Sequence, residues 1–129
     1  MTTMTSTQDL KAIAIGFLRM AAAGRVDEAW ALHVAPGFRH HNPFFPGDAE
    51  SLKQAMQQNA VKNPDKIFAV QRALQDGDLV AVHSCVRQNP QAPRVAVVHL
   101  FRFEQGRIAE IWDVGQPEPE NNPNEHGMF

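Results

Sequence analysis

Two apolar runs joined by a short glycine-containing turn constrain this chain most. Arg94-Val-Ala-Val-Val-His99-Leu-Phe-Arg-Phe103 leads through Glu104-Gln105-Gly106 into Arg107-Ile-Ala-Glu-Ile-Trp112-Asp113-Val114. Both runs are rich in β-branched and aromatic residues, and Gly106 sits where the chain must reverse, so Arg94 to Gln116 reads as a β-hairpin. The turn length decides which side chains meet. A three-residue loop with Gly106 in the left-handed position pairs Phe103 with Arg107. His99 then lies opposite Ile111 and Val97 opposite Asp113, which makes His99 and Asp113 diagonal neighbours roughly 7 Å apart on one face. A two-residue Gln105-Gly106 loop puts Val98 opposite Asp113 and sends His99 to the other face, because a one-residue slip inverts every side chain. Gln-Gly is not among the strongest two-residue pairs, so the longer loop is the expectation. On that register Asp113 shares its face with Ala109, Ile111, Val97, Phe101 and His99, an apolar wall holding one acid and one imidazole.

The 129 residues suit one domain with a real core and are too few for two. A net charge of -2 without a basic run gives no footprint for nucleic acid or an anionic membrane surface. Cys85 is alone, so no internal disulfide forms, and its apolar strand setting suggests a buried, inert thiol. No signal peptide and no bilayer-length apolar stretch is apparent, so a cytoplasmic protein without a membrane partner is expected.

Leu10, Ile13, Ala14, Phe17, Leu18 and Ala21 recur at helical spacing, with Ser6 as candidate N-cap, Asp9 in the first turn and Gly24 as the stop; residues 1–6 are expected to be flexible. A second helix over Val26 to His33 carries Trp30 and ends before Pro36-Gly37. Phe38 to Asn42 reads as a short extended piece, Pro43 to Gly47 as a loop, and Asp48 as the cap of a third helix that stops near Asn63-Pro64. The period then changes. Lys66 to Gln75 and Leu79 to Arg87 read as strands around an Asp76-Gly77-Asp78 turn, and Gln88 to Pro93 connects to the hairpin. Residues 117–129, rich in Pro, Glu and Asn, form an extended tail ending in apolar Met128-Phe129, placed to dock on the body or on a partner subunit. Three helices followed by long antiparallel strands predict an α+β domain.

The run Phe101 to Val114, together with His41-Asn42-Pro43, the Gln116-Pro117 step and the Met128-Phe129 end, resembles the SnoaL-like proteins, a family of polyketide cyclases and predicted aldol-condensation enzymes. The resemblance covers nearly the whole chain. It implies a cone-shaped α+β barrel, with three N-terminal helices on a curved, mainly antiparallel sheet enclosing a pocket, commonly as a homodimer. It also implies that Asp113 matches the acid/base aspartate of SnoaL-type cyclases and that His99 lies on the strand supplying its partner. Two departures stand out: many similar relatives have Asp where His99 stands and His where Ile111 stands. The chain also has no tyrosine, which excludes the tyrosine oxyanion donor of ketosteroid isomerase.

A carboxylate desolvated by such a wall has its pKa raised and becomes a better base near neutrality. Asp113 and His99 are therefore the candidate catalytic pair, acting without a cofactor on a small hydrophobic carbonyl compound by aldol closure, isomerisation or dehydration. No phosphate loop or dinucleotide fingerprint is present. His41, Phe101, Ile111, Val97, Trp30 and His83 are the candidate substrate-binding residues. Each has a structural alternative: Asp113 as a strand-end cap, His99 as a core histidine, His41-Asn42-Pro43 as turn chemistry, and His83 as core or pocket wall. His40 is expected to be solvated and Trp112 to serve packing. His41, His99 and Asp113 have the composition of a two-histidine, one-carboxylate metal site but lack a compact ligand spacing, so no metal is expected. The alternative from another class is a non-catalytic ligand-binding or dimerisation module on the same scaffold.

Overall fold

The carboxylate of Asp9 accepts the Ala12 N–H at 3.2 Å and opens helix α1, Leu10–Ala22. Asp9 is thus the cap itself. The computed structural model describes residues 9–129, and the expected Ser6 cap and flexible 1–6 segment lie outside them. Ala14, Phe17, Leu18 and Ala21 turn one stripe of α1 into the core, and Gly24, at φ +85°, ends the helix in the left-handed region. Helix α2 covers Val26–His33 as expected.

Strand β1, Val34–His40, follows at once, starting at Val34 rather than Phe38. It runs through the Pro36-Gly37 pair that suggested a break. Proline is tolerated because β1 is an edge strand, and Gly37, at φ +76°, sits within the irregularity between Val34 and Arg39. Helix α3, Ala49–Lys62, is capped by Asp48, whose carboxylate accepts the Ser51 N–H at 2.9 Å. Four strands then follow: β2 Ile67–Asp76, β3 Leu79–Arg87, β4 Val95–Glu104 and β5 Arg107–Pro117. The sheet order is β1-β5-β4-β3-β2, with β1 parallel to β5 and every other pair antiparallel. Three helices on a mixed five-stranded sheet make the α+β architecture that the patterning predicts.

Phe17 of α1 ties the layers together. Its ring lies 5.6 Å from Trp30 of α2 and 6.2 Å from Phe101 of β4, and Trp30 in turn meets Phe38 of β1 at 5.5 Å. Val80, Val82, Ile108 and Ile111 complete the sheet side of the core. Among the described residues no helix is long and apolar enough to cross a membrane.

The β4–β5 hairpin differs from its expected register. Glu104 pairs with Arg107, leaving Gln105 (φ 50°) and Gly106 (φ 77°) as a two-residue turn with both central residues left-handed. Uninterrupted, that turn would have sent His99 outward. A bulge prevents this: Phe103 pairs with Ile108 but Arg102 with Glu110, so Ala109 is an extra residue on β5 and the parity of the ladder is restored. His99 therefore lies directly opposite Asp113, Phe101 opposite Ile111, and Val97 opposite Gly115. The expected common face survives, with a closer pairing than the diagonal one.

Beyond β5 the tail returns along the outer face of the sheet. Arg94 donates two hydrogen bonds of 2.8 Å to Glu118, and its guanidinium lies 5.1 Å from the Phe129 ring, which also stacks on His83 at 5.8 Å.

Candidate functional site

A cavity of about 260 Å³ lies between α1, α3 and the inner face of the sheet. Leu18 and Ala21 of α1, Leu52 and Met56 of α3, and Phe68 and Val86 of the sheet give it apolar walls. Its polar groups are Asn42, Asn59, Lys66, Gln88, His99 and Asp113. A mostly apolar concavity with few polar groups is the usual form of a small-molecule site.

Asp113 and His99 reach this cavity because both project inward from paired positions on β4 and β5. Asn42 comes from the loop after β1, and its amide donates to both carboxylate oxygens of Asp113, at 3.1 and 3.4 Å. A chain of local bonds orients that amide. The Asn42 N–H donates to His40 Nδ1 at 3.1 Å, His40 Nε2 donates to the Pro46 carbonyl at 2.7 Å, and Asn42 Oδ1 accepts the Phe44 N–H at 2.9 Å. His40, expected in solvent, is 5% exposed. Both of its ring nitrogens are used, which repays its burial.

Burial pushes the pKa of His99 down to about 4, against the weaker pull of the Asp113 charge, so the ring is neutral at physiological pH. Its Nδ1 and the neighbouring Ser84 Oγ are buried without a hydrogen-bond partner among the described residues. A neutral imidazole beside a carboxylate offers a hydrogen-bond donor without placing a second charge in an apolar cavity.

Of the remaining candidate residues, none borders the cavity. Phe101 and Ile111 are core residues, 0% and 3% exposed. Trp30 belongs to the aromatic cluster of the core, and Val97 packs on the inner face away from the cavity lining. His83 projects outward, where it meets Arg72 and Phe129. His41 also lies outside: its Nε2 bonds Glu110 at 2.6 Å and its ring stacks on Trp112 at 4.9 Å, while Arg39 and Arg102 flank the same carboxylate at 2.9 Å. These cations hold the Glu110 carboxyl down at about 2. Alternation along the chain explains the exchange: His40 and Asn42 face in, so His41 between them faces out. His41, His99 and Asp113 are accordingly not assembled into a ligand set. Asn42 was legible only as turn chemistry, and Lys66 only as the first residue of a strand.

Three helices on a mixed five-stranded sheet, with a pocket between the helices and the inner face of the sheet, define an α+β protein with a small-molecule-sized cavity. The chain belongs to the SnoaL-like domain family, whose model matches residues 14–111. Among solved structures it is similar to IdmH from Streptomyces antibioticus, a candidate polyketide cyclase, at 23% identity and a TM-score of 0.68 over 84% of this chain and 92% of that one. AclR from Streptomyces galilaeus, a candidate hydroxylase, matches at 24% identity and a TM-score of 0.66, covering 84% of this chain and 89% of that one. A SnoaL-like protein from Burkholderia thailandensis gives 17% identity and a TM-score of 0.70 over 85% and 98%. At such identities the likeness establishes the fold. A comparison with curated proteins found no match.

Proposed function

We propose that the cavity is the site of a cofactor-independent acid/base reaction on a small hydrophobic carbonyl compound, with Asp113 as the acid/base. The observation that supports this most is the opposition of Asp113 to a neutral His99 on the wall of one apolar cavity. The Asp113 carboxylate takes a proton from the carbon α to the carbonyl, and the electron pair moves onto oxygen as an enolate. The His99 N–H donates to that oxygen. The enolate carbon then attacks a second carbonyl of the same molecule, closing a ring, and the new alkoxide takes the proton back from Asp113; where the enolate is conjugated, its γ carbon takes that proton instead. The similarity to IdmH favours ring closure over the alternatives. Asn42 aims the carboxylate and is not consumed.

One observation favours the non-catalytic reading: the Asn42 amide already occupies both oxygens of Asp113. Solvent exchange separates the two. With 2-tetralone in deuterated buffer, the protein should speed deuterium incorporation next to the carbonyl, and Asp113→Asn should remove about 10²–10⁴-fold of that acceleration while melting within a few degrees of the parent. Binding of the ketone without enhanced exchange would establish a binding module instead.

The outer face of the sheet is proposed as the contact between two copies in a homodimer. Val114, Leu74 and Leu100 are exposed there, around the Trp112–His41 stack.

A further inference from the structure

Lys66 sits in the same cavity as Asp113 and is absent from the acid/base chemistry. It precedes β2 and is half-buried, and burial lowers its pKa. Its ammonium donates to Asn59 Oδ1, a neutral acceptor on α3. No carboxylate among the described residues pairs with it, whereas Lys53, also partly buried, pairs with Asp27 at 3.1 Å. Ile67 pairs with Arg87, so Lys66 stands beside Gln88, which also borders the cavity. A half-buried cation whose one hydrogen-bond partner among the described residues is a neutral amide oxygen lacks the countercharge that normally accompanies burial.

The position of this cation matters as much as its charge. β2 and β5 are three inter-strand steps apart, roughly 14 Å across the strands, and the β2 residue in line with Asp113 is Ala73, so Lys66 is displaced along the strand as well. The cavity thus has two unlike ends, an amide-flanked ammonium at one and a carboxylate with a neutral imidazole at the other. We propose that its ligand is a carbonyl compound carrying a carboxylate, held at the far end by Lys66 with Asn59 and Gln88 as amide partners. The Asp113 charge repels the ligand's carboxylate from its own end, so the same two residues also fix which way round the molecule enters. That the carbonyl occupies the Asp113 end rests on the acid/base reading; anion capture at Lys66 does not.

A matched pair of probes tests this on the intact protein. 4-Acetylbenzoate and 4-acetylbenzamide have nearly the same shape and differ in charge at one end. Calorimetric titration should show the acid binding at least about tenfold more tightly than the amide. Lys66→Met should abolish that preference, Lys66→Arg should retain it, and Asp113→Asn should keep or enlarge it. Equal or undetectable binding of both probes to the parent overturns the proposal, as does a preference that survives in a folded Lys66→Met protein. Borohydride trapping of an imine on Lys66 also overturns it, since the amine would then be a nucleophile. Deuterium exchange into the acetyl group of the bound acid reports separately on Asp113: selective binding without exchange would sink the acid/base reading and leave the anion site standing.

Discussion

The imidazole of His99 titrates near 4 in the folded protein and near 6.5 in the unfolded chain. Between those values the unfolded state binds the proton and the folded state does not. Stability is therefore full above pH 6.5 and falls as pH drops toward 4, by at most about 3 kcal/mol at 1.36 kcal/mol per unit. His33, lowered by burial and by Arg107, acts in the same direction. Glu110 has the opposite linkage, with stability present above pH 4.5 and lost toward 2. Urea midpoints measured from pH 7 to 4 should decline in the parent and decline less in His99→Leu; parallel curves would show that His99 is not the group being titrated. The sequence predicts His99 and Asp113 on one face as diagonal neighbours through a three-residue turn; the shared face holds, but a two-residue turn and the bulge at Ala109 produce it. Asn42 was not legible, because its role depends on the loop after β1 bringing a side chain back to a residue far along the chain, and no periodicity records that return.

At the scale of elements, helices α1 and α3 were legible from apolar spacing, α3 also from its Asp48 cap, whereas the sequence reads the Asp9 cap of α1 as a first-turn residue; β3 was legible because its alternation is unbroken. The start of β1 was hidden, since Pro36-Gly37 looks like a stop and only tertiary pairing with β5 overrides it. The hairpin turn was misread for a different reason: Gln105 occupies a left-handed position that its side chain does not favour, held there by the paired strands on either side. Gln105→Asn gives the turn its preferred Asn-Gly pair and should raise the melting temperature by a few degrees, whereas Gly106→Ala should cost roughly 1–2 kcal/mol. Differential scanning calorimetry of the two variants checks both signs. A destabilised Gln105→Asn would mean that the strands, not the turn, set the geometry at this position.

For the whole molecule, the two faces of the sheet divide the work. The inner face holds the cavity, while the outer face presents Val114, Leu100 and Leu74 and also receives the tail through Phe129. Composition predicted an apolar tail tip, but which face would receive it depends on the Arg94–Glu118 pair, set by the strand ends. Val114→Arg should convert the proposed dimer into monomers in sedimentation velocity without changing ligand affinity. Removal of residues 124–129 should weaken the dimer and leave ligand uptake unchanged, because the tail does not cover the cavity. Loss of ligand binding in either variant would join the two faces functionally and contradict that division.

Ala109 is the residue the ladder does not count. Its deletion removes the bulge and leaves Arg102 beside Glu110 and His99 beside Asp113, whereas deletion of Trp112 moves Asp113 into an outward position. A lineage carrying this hairpin can therefore lose a codon at position 109 and keep His99 opposite Asp113, while the same loss three codons later separates them. Length variation among descendants of this chain should collect at the bulge and be purged between Glu110 and Asp113.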